Sequence, residues 1–452
     1  GEALSLLAAL VLPWLGGAAA LVCLRLPAGP GYLARIVGYG FFLGYAAVFL
    51  LVHAVDALSP ALHFSLLFAV VATLSLAALV LAYRRGLPPN ARHSCGPDAP
   101  PLRWLCWLLA AGAALHLVLA ATEILYRPVF PWDAWLNWMY RAKAWFLADA
   151  VLPMDDPRSW ARGAALQRFN VEASHYPSFV PVIALWPALA LGRWSETLVN
   201  LPVLGLGAAS ALALYGQVRA LPLPRCAAAL CAYLLLSIPL VGVHLSLAGQ
   251  ADIWMAGYVG TGFVALIGAL IERRRSELLL ALAMIAVGVF IKEEGKVWLI
   301  VALLLPLYAR WPGQLVLATA LGAGAAVLAV STGSPLLDLP LLGPLGVTEG
   351  RLFVPMLGSY ALETRLPLTA FWENYIEGAS WHLLWPSLLV LLPVLAVALR
   401  GRTRNVLAAF LALTLGSLFF IFSFTDQGRC AEDATAINRL PVHFLASFVL
   451  LF

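Results

Sequence analysis

The chain has 452 residues, 62% of them hydrophobic and 11% charged, with a mean hydropathy of +0.89, against roughly 45–50% apolar and 25% charged residues in soluble domains. This excludes a soluble protein, and because apolar runs recur almost from end to end it favours one polytopic membrane body over a string of domains. The net charge of +5 comes from basic residues scattered between apolar runs, without the basic face or aromatic signature of a nucleic-acid binder.

In chain order, apolar runs near 3–24, 36–55, 61–83, 103–122, 197–218, 226–245, 253–272, 278–291, 297–311, 313–332, 381–399, 405–424 and from 441 onward predict about thirteen membrane spans. The first lacks a basic leader and is followed at once by another span, so it reads as an anchor and not a cleaved signal peptide. The chain opens without Met and stops inside an apolar run, so both ends are expected to be incomplete. Arginine-rich short loops belong in the cytoplasm. Here they hold Arg25 and Arg35; Arg84, Arg85, Arg92 and Arg103; Arg219 and Arg225; Arg273, Arg274 and Arg275; Arg310; and Arg400, Arg402 and Arg404. The alternation closes if the run 176–192 does not cross, and its Pro177, Pro181 and Pro187 predict a broken, re-entrant or interfacial helix. Cys23, Cys95, Cys106, Cys226 and Cys231 then lie at cytoplasmic ends and Cys430 outside, with no disulfide framework or CxxC metal pattern expected.

The outer face receives the loops 123–175 and 333–380 and the shorter ones around 246–252, 292–296 and 425–440. Loop 333–380, with seven charges among prolines and glycines, is too long for a mere connection and predicts a lid or substrate-binding loop. The segment 131–146, PWDAWLNWMYRAKAWF, places Asp133, Asn137, Tyr140 and Arg141 on one helix face and Trp135, Trp138 and Trp145 on the opposite one. That predicts a helix lying flat on the membrane with its tryptophans in the headgroup layer. Asp133 reads either as the N-cap of such an anchor or as a general base. In the second reading a carboxylate near lipid, with Arg141 and Lys143 nearby, deprotonates a hydroxyl or amine that attacks an anionic, lipid-tethered donor. The charges that follow, Asp155, Asp156, Arg158, Arg162, Arg168 and Glu172, are balanced and read equally well as solvated surface.

His175, Tyr176 and Pro177 open the 176–192 run, where His175 is either structural or a contact to phosphate or acceptor. Asp252 falls at the start of a span, as a helix-terminal charge or as a wall of an aqueous cleft shared with Asp133. Lys292, Glu293, Glu294 and Lys296 sit between two apolar runs, where charge is expensive and by default functional. They form either a hairpin tip with snorkelling lysines or a phosphate cradle in which Lys292 or Lys296 neutralises a polyprenyl phosphate. Arg429 and Arg439 lie outside against the positive-inside trend. Arg439, just ahead of a span, suits bidentate phosphate binding or simple pairing with Glu432 or Asp433.

Together these segments resemble the GT-C superfamily of membrane glycosyltransferases, in particular bacterial relatives of the dolichyl-phosphate-mannose protein mannosyltransferases and the lipid A aminoarabinose transferases. The resemblance covers about 103–452 and rests on Trp-Asp-Ala-Trp at 132–135, His-Tyr-Pro at 175–177, Ala-Asp at 251–252, Lys-Glu-Glu-Gly at 292–295 and Asn-Arg at 438–439. It implies an all-α polytopic fold with juxtamembrane helices in the first large outer loop. The chain divides into N-terminal spans and a cytoplasmic loop (1–102), a GT-C-like core (103–332), the outer loop 333–380 and C-terminal spans (381–452). The implied activity is inverting transfer of one sugar from a polyprenyl-phosphate donor to a lipid, glycan or protein acceptor on the periplasmic face of the bacterial inner membrane. Asp133 would be the base, and Lys292, Lys296, Arg439 and His175 would hold the donor phosphate. Trp132, Trp135, Asn137, Tyr140, Arg141, Tyr176, Asp252, Glu293, Glu294 and Arg429 would surround the substrates. No cofactor is required, and a divalent metal is compatible but not indicated. Two other readings share the layout: a lipid-linked glycan polymerase or O-antigen ligase, and a transporter, which the gathering of charge on one face disfavours.

Overall fold

The computed structural model describes residues 1–59, 61–88, 100–163, 169–221, 223–247, 249–311, 313–314, 316–317, 336–340 and 343–452. Its first helices, α1 (Glu2–Cys23) and α2 (Tyr32–Leu58), run antiparallel with backbones touching. A Cβ added at Gly17 would lie 2.0 Å from the Gly40 carbonyl oxygen, and one at Gly44 would lie 1.9 Å from that of Pro13. Only glycine permits that approach, as in other small-xxx-small membrane pairs. α3 (Phe64–Arg85) packs on α1, and α4 (Arg103–Tyr126) lies at the periphery.

Three short helices follow: α5 (Met139–Ala148), α6 (Pro157–Ala161) and α7 (Phe179–Leu191). α8 (Pro202–Ala220) packs along α2. α9 (Arg225–Ser237) and α10 (Pro239–Ser246) form one apolar stretch bent by 60° at Pro239, which cannot donate the hydrogen bond that would continue the helix. α11 (Ala251–Met255), a π-helical turn Ala256–Gly260 and α12 (Thr261–Glu272) make a single span. In its most apolar stretch 89% of residues are buried, against 6% in α4, so α11–α12 is the centre of the bundle. α13 (Arg275–Val287) and α14 (Glu294–Arg310) pack beside it.

Four strands then form an antiparallel sheet of order β1-β2-β3-β4: β1 (Leu337–Leu339), β2 (Gly343–Thr348), β3 (Arg351–Val354) and β4 (Gly358–Ala361). Gly350 and Gly358, at φ +69° and +94°, make its turns, conformations glycine adopts without steric cost. The chain ends in α15 (Leu368–Trp372), α16 (Leu384–Ala398), α17 (Gly401–Phe424), α18 (Gly428–Glu432), α19 (Arg439–Val442) and α20 (Leu445–Val449).

Among the described residues seven helices are long and apolar enough to cross a membrane: α1, α2, α3, α4, α8, α11–α12 and α17; α9–α10 would be an eighth. The chain is a mostly helical membrane protein. The expected count of thirteen spans is not confirmed. The runs 278–291, 297–311 and 381–399 become helices of 13, 17 and 15 residues, and the run from 441 onward is divided between short helices. The span 313–332, together with Arg92, Cys95 and Arg168, lies outside the described residues or almost so. The run 176–192 is corrected in one respect: α7 is unbroken, and all 13 of its residues are buried. Pro181 falls in its first turn, where no intrahelical donor is needed, and at about 1.5 Å per residue the helix spans only ~20 Å. Two further corrections concern the sheet, which interrupts an otherwise helical chain, and the cysteines. Cys106 and Cys226 form a disulfide joining the starts of α4 and α9, 120 residues apart in sequence and therefore invisible as a spacing.

Candidate functional site

Four loops that the arginine pattern assigns to one face, 123–175, 246–252, 292–296 and 425–440, converge on a single charge network. Asp252, on the first turn of α11, is wholly buried. Its Oδ1 accepts from Lys292 Nζ at 2.9 Å and from His443 Nε2 at 3.1 Å, and its Oδ2 accepts from Arg439 Nε at 2.7 Å. Arg439 reaches Asp133 Oδ2 with Nη2 at 2.5 Å, and Lys292 also pairs with Glu294 at 3.0 Å. Trp298 Nε1 lies 3.0 Å from His443 Nδ1. An indole N–H can only donate, so His443 carries its ring proton on Nε2 and donates it to Asp252. Burial alone would lower the Lys292 pKa, but Asp252 and then Glu294 raise it above its ordinary value. The Arg439 guanidinium is likewise held up by Asp252 and Asp133 against its burial.

The network is closed at one end and open at the other. Asp252, Lys292 and His443 are buried, whereas the side chains of Asp133 and Arg439 are 32% and 30% exposed. Of the five guanidinium N–H donors, Arg439 commits two among the described residues, leaving three. Asp252, wholly buried with three donors on its two oxygens, is closed off from a substrate. Asp133 is partly exposed, and among the described residues its ion pair is with Arg439. Three carboxylates (Asp133, Asp252, Glu294) face two cations (Lys292, Arg439). Among the described residues no three His, Cys, Asp or Glu side chains group as metal ligands would.

The helix carrying Asp133 differs from the amphipathic surface helix expected. Ala134–Trp138 is a π-helical turn, closed by the Met139 N–H on the Ala134 carbonyl, and the extra residue per turn shifts the faces. Trp138 and Trp145 are buried in protein, while Trp132 and Trp135 stay exposed with ring centroids 6.1 Å apart. Asp133 makes no side-chain capping bond, so the N-cap alternative falls. Asn137 and Arg141, expected at the substrate, point inward. Asn137 Oδ1 accepts from the Ala173 N–H at 3.1 Å, and Arg141 donates to the carbonyls of Ser174, Tyr176 and Pro177 at 2.7, 2.6 and 3.2 Å. Burial pushes the Arg141 guanidinium down to about 10, still charged at neutral pH. The two side chains clamp the loop that presents Tyr176, whose ring stacks on Trp138 at 5.2 Å. The Tyr176 phenol is raised first by burial, and it lies within electrostatic reach of Lys292, Glu294, Asp133 and Arg439. His175 is exposed beside it and is not part of the network.

The Lys-Glu-Glu-Gly turn divides in two. Lys292, expected to hold a phosphate, is sequestered between Asp252 and Glu294. Glu293 and Lys296 pair with each other one turn apart and stay partly exposed. Arg429 does not reach the network: it pairs with Glu363 at 2.6 Å, and Arg365 joins Glu363 to Glu432. These bonds tie the 333–380 loop to the segment ahead of Arg439. Tyr375 Oη donates to the Ile437 carbonyl at 2.7 Å, Trp381 Nε1 donates to Asn438 Oδ1 at 2.8 Å, and Asn438 Nδ2 donates to Asn374 Oδ1 at 2.5 Å. Tyr360 of β4 has its phenol raised by burial and then by Glu293 and Glu294, which sets the sheet beside the Lys-Glu-Glu-Gly turn. Sequence reasoning missed His443 and Trp298. The spacing of His443 from Arg439, four residues, was the available signal.

Compared with protein-family models, curated proteins and solved structures, the chain matches none of them.

Proposed function

We propose that the chain is an inverting membrane glycosyltransferase that moves one sugar from a polyprenyl-phosphate donor to a lipid, glycan or protein acceptor, at a periplasm-facing site in a bacterial inner membrane. The observation that carries this reading is the exposed Asp133–Arg439 pair at the mouth of an otherwise buried network: a base and an anion-binding group share one opening. An acceptor hydroxyl loses its proton to Asp133 as its oxygen attacks the anomeric carbon from the face opposite the phosphate. The bond from that carbon to the phosphate oxygen breaks, and the uncommitted N–H groups of Arg439 take up the charge developing on the leaving phosphate. Because the same guanidinium holds Asp133, a phosphate that engages Arg439 loosens the pair and frees the carboxylate once the donor is bound. Donor binding and base activation are then one event.

In this reading Lys292 and His443 fix Asp252, and Asp252 fixes Arg439; phosphate contact falls to Arg439, with Lys296 at the rim. The test is mass spectrometry of lipids that co-purify with the protein. A monophosphate-linked polyprenyl sugar is expected, depleted at least tenfold in Arg439→Gln. Recovery of a diphosphate-linked oligosaccharide instead would replace this reading with the ligase or polymerase one.

A further inference from the structure

The first outer loop contains a groove that the charge network does not use. It measures about 840 Å³, inside the roughly 300–1,000 Å³ typical of small-molecule sites. Its lining includes Trp135 and Tyr140, 57% and 38% exposed. On an α-helix two residues five apart point ~140° away from each other. The π-helical turn Ala134–Trp138, bonded i to i+5, instead brings them to the same side. Single π turns of this kind concentrate at functional sites.

The lining also includes a polar segment, with Asp156, Arg158, Asn170 and Glu172. This segment is held by a main-chain ladder, with the Asp155 N–H on the Phe169 carbonyl at 3.1 Å and the Val171 N–H on the Asp155 carbonyl at 2.9 Å. Asp156 Oδ1 also caps α6, accepting from the backbone of Arg158 and Ser159. The segment therefore offers carboxylate and amide acceptors together with guanidinium and amide donors, on a fixed backbone. Among the described lining residues two acids stand against one base, with no surplus of positive charge to favour an anion. Exposed aromatic rings together with mixed donors and acceptors in one groove match a pyranose, which has an apolar C–H face and a rim of hydroxyls that both donate and accept.

We infer that this groove binds an uncharged saccharide, and that the acceptor of the reaction is therefore a glycan chain, with its terminal hydroxyl directed toward Asp133, two residues from Trp135. The inference rests on the transferase reading for the word acceptor; saccharide binding itself does not.

The experiment is saturation-transfer NMR on the protein in nanodiscs, with chitotetraose and maltotetraose as neutral probes and inorganic phosphate as competitor. Saturation transfer to at least one tetrasaccharide is expected, weakened ~10-fold by Trp135→Ala, consistent with loss of one aromatic contact. Arg158→Ala should weaken it as well; both side chains are exposed, so neither change threatens folding. Phosphate should not displace the probe. Absence of Trp135-dependent binding to either probe, or displacement by phosphate, would overturn the proposal. The two readings fail separately. Probe binding without any sugar transfer sinks the transferase and leaves the groove, whereas transfer with an unchanged acceptor KM in Trp135→Ala and Arg158→Ala sinks the groove alone.

Discussion

Asp252 has no contact with solvent, and it is tolerated there because Lys292, Arg439 and His443 satisfy both of its oxygens. Removing one partner of a buried pair leaves an undercompensated charge. Lys292→Met should therefore cost on the order of 3 kcal/mol of stability, read as a lower melting midpoint in detergent; an unchanged midpoint would mean that the network does not hold α11 to the turn before α14. The protonation of its members sets a pH window. Lys292 has its pKa raised above the ordinary 10.5, so its contribution is complete below that pH and is lost as pH rises through the higher folded value. Glu294 feels burial, which would raise it, but Lys292 holds it below the ordinary 4.5; its contribution is complete above that pH and is lost as pH falls through the lower folded value. The melting midpoint should be flat between these limits and fall outside them, and the acid-side fall should shrink in Glu294→Gln. Asp133, Asp252, Lys292 and Arg439 were all legible as single residues, since charge at a membrane boundary requires a partner. Who pairs with whom was not, because Asp252 and Arg439 are 187 positions apart and no local pattern encodes that meeting. The pairing of Lys292 was illegible for the same reason: its two carboxylate partners come from its own turn and from a distant helix.

At the scale of elements, the helices that carry Asp133 and Asp252 each contain a π-helical turn beyond the acid: Ala134–Trp138 directly after Asp133, and Ala256–Gly260 starting four residues after Asp252. Such an insertion re-aims every side chain beyond it. A reading at 100° per residue therefore found the helix at 131–146 and put Asn137 and Arg141 on the wrong face. The loop 333–380 was legible as something more than a connection, but not as a sheet, because its short strands show little alternation. Besides the bonds of Asn374 and Tyr375, it is tethered by the partly exposed Arg429–Glu363–Arg365–Glu432 chain. Exposed pairs contribute only ~0–1 kcal/mol each. Glu363→Gln should thus leave the melting midpoint in place while raising amide hydrogen exchange across β3 and β4. Unchanged exchange there would mean that the sheet is fixed by its packing and not by these pairs.

For the whole molecule, hydropathy alone gave a helical membrane protein, and the alternation of arginine-rich loops placed four polar segments on one face; those four segments meet in the network. The number of full spans did not follow, because composition cannot distinguish a helix that crosses lipid from one buried among other helices: all of α7 is buried, though it has only 13 residues. The buried Arg35–Glu277 pair, linking α2 to α13, and the packing of α2 on α8 join the first helices to those that carry the site. Under the proposed function a single base, Asp133, stands at the mouth of this network. The direct measurement is transfer of radiolabelled sugar from a polyprenyl monophosphate donor, identified among the co-purifying lipids, to endogenous acceptor by purified wild-type protein and by Asp133→Asn. The account predicts transfer by the wild type and a loss of at least a thousandfold in the variant, with an unchanged melting midpoint and retained donor lipid. Turnover within a few-fold of wild type in a folded Asp133→Asn protein would contradict it.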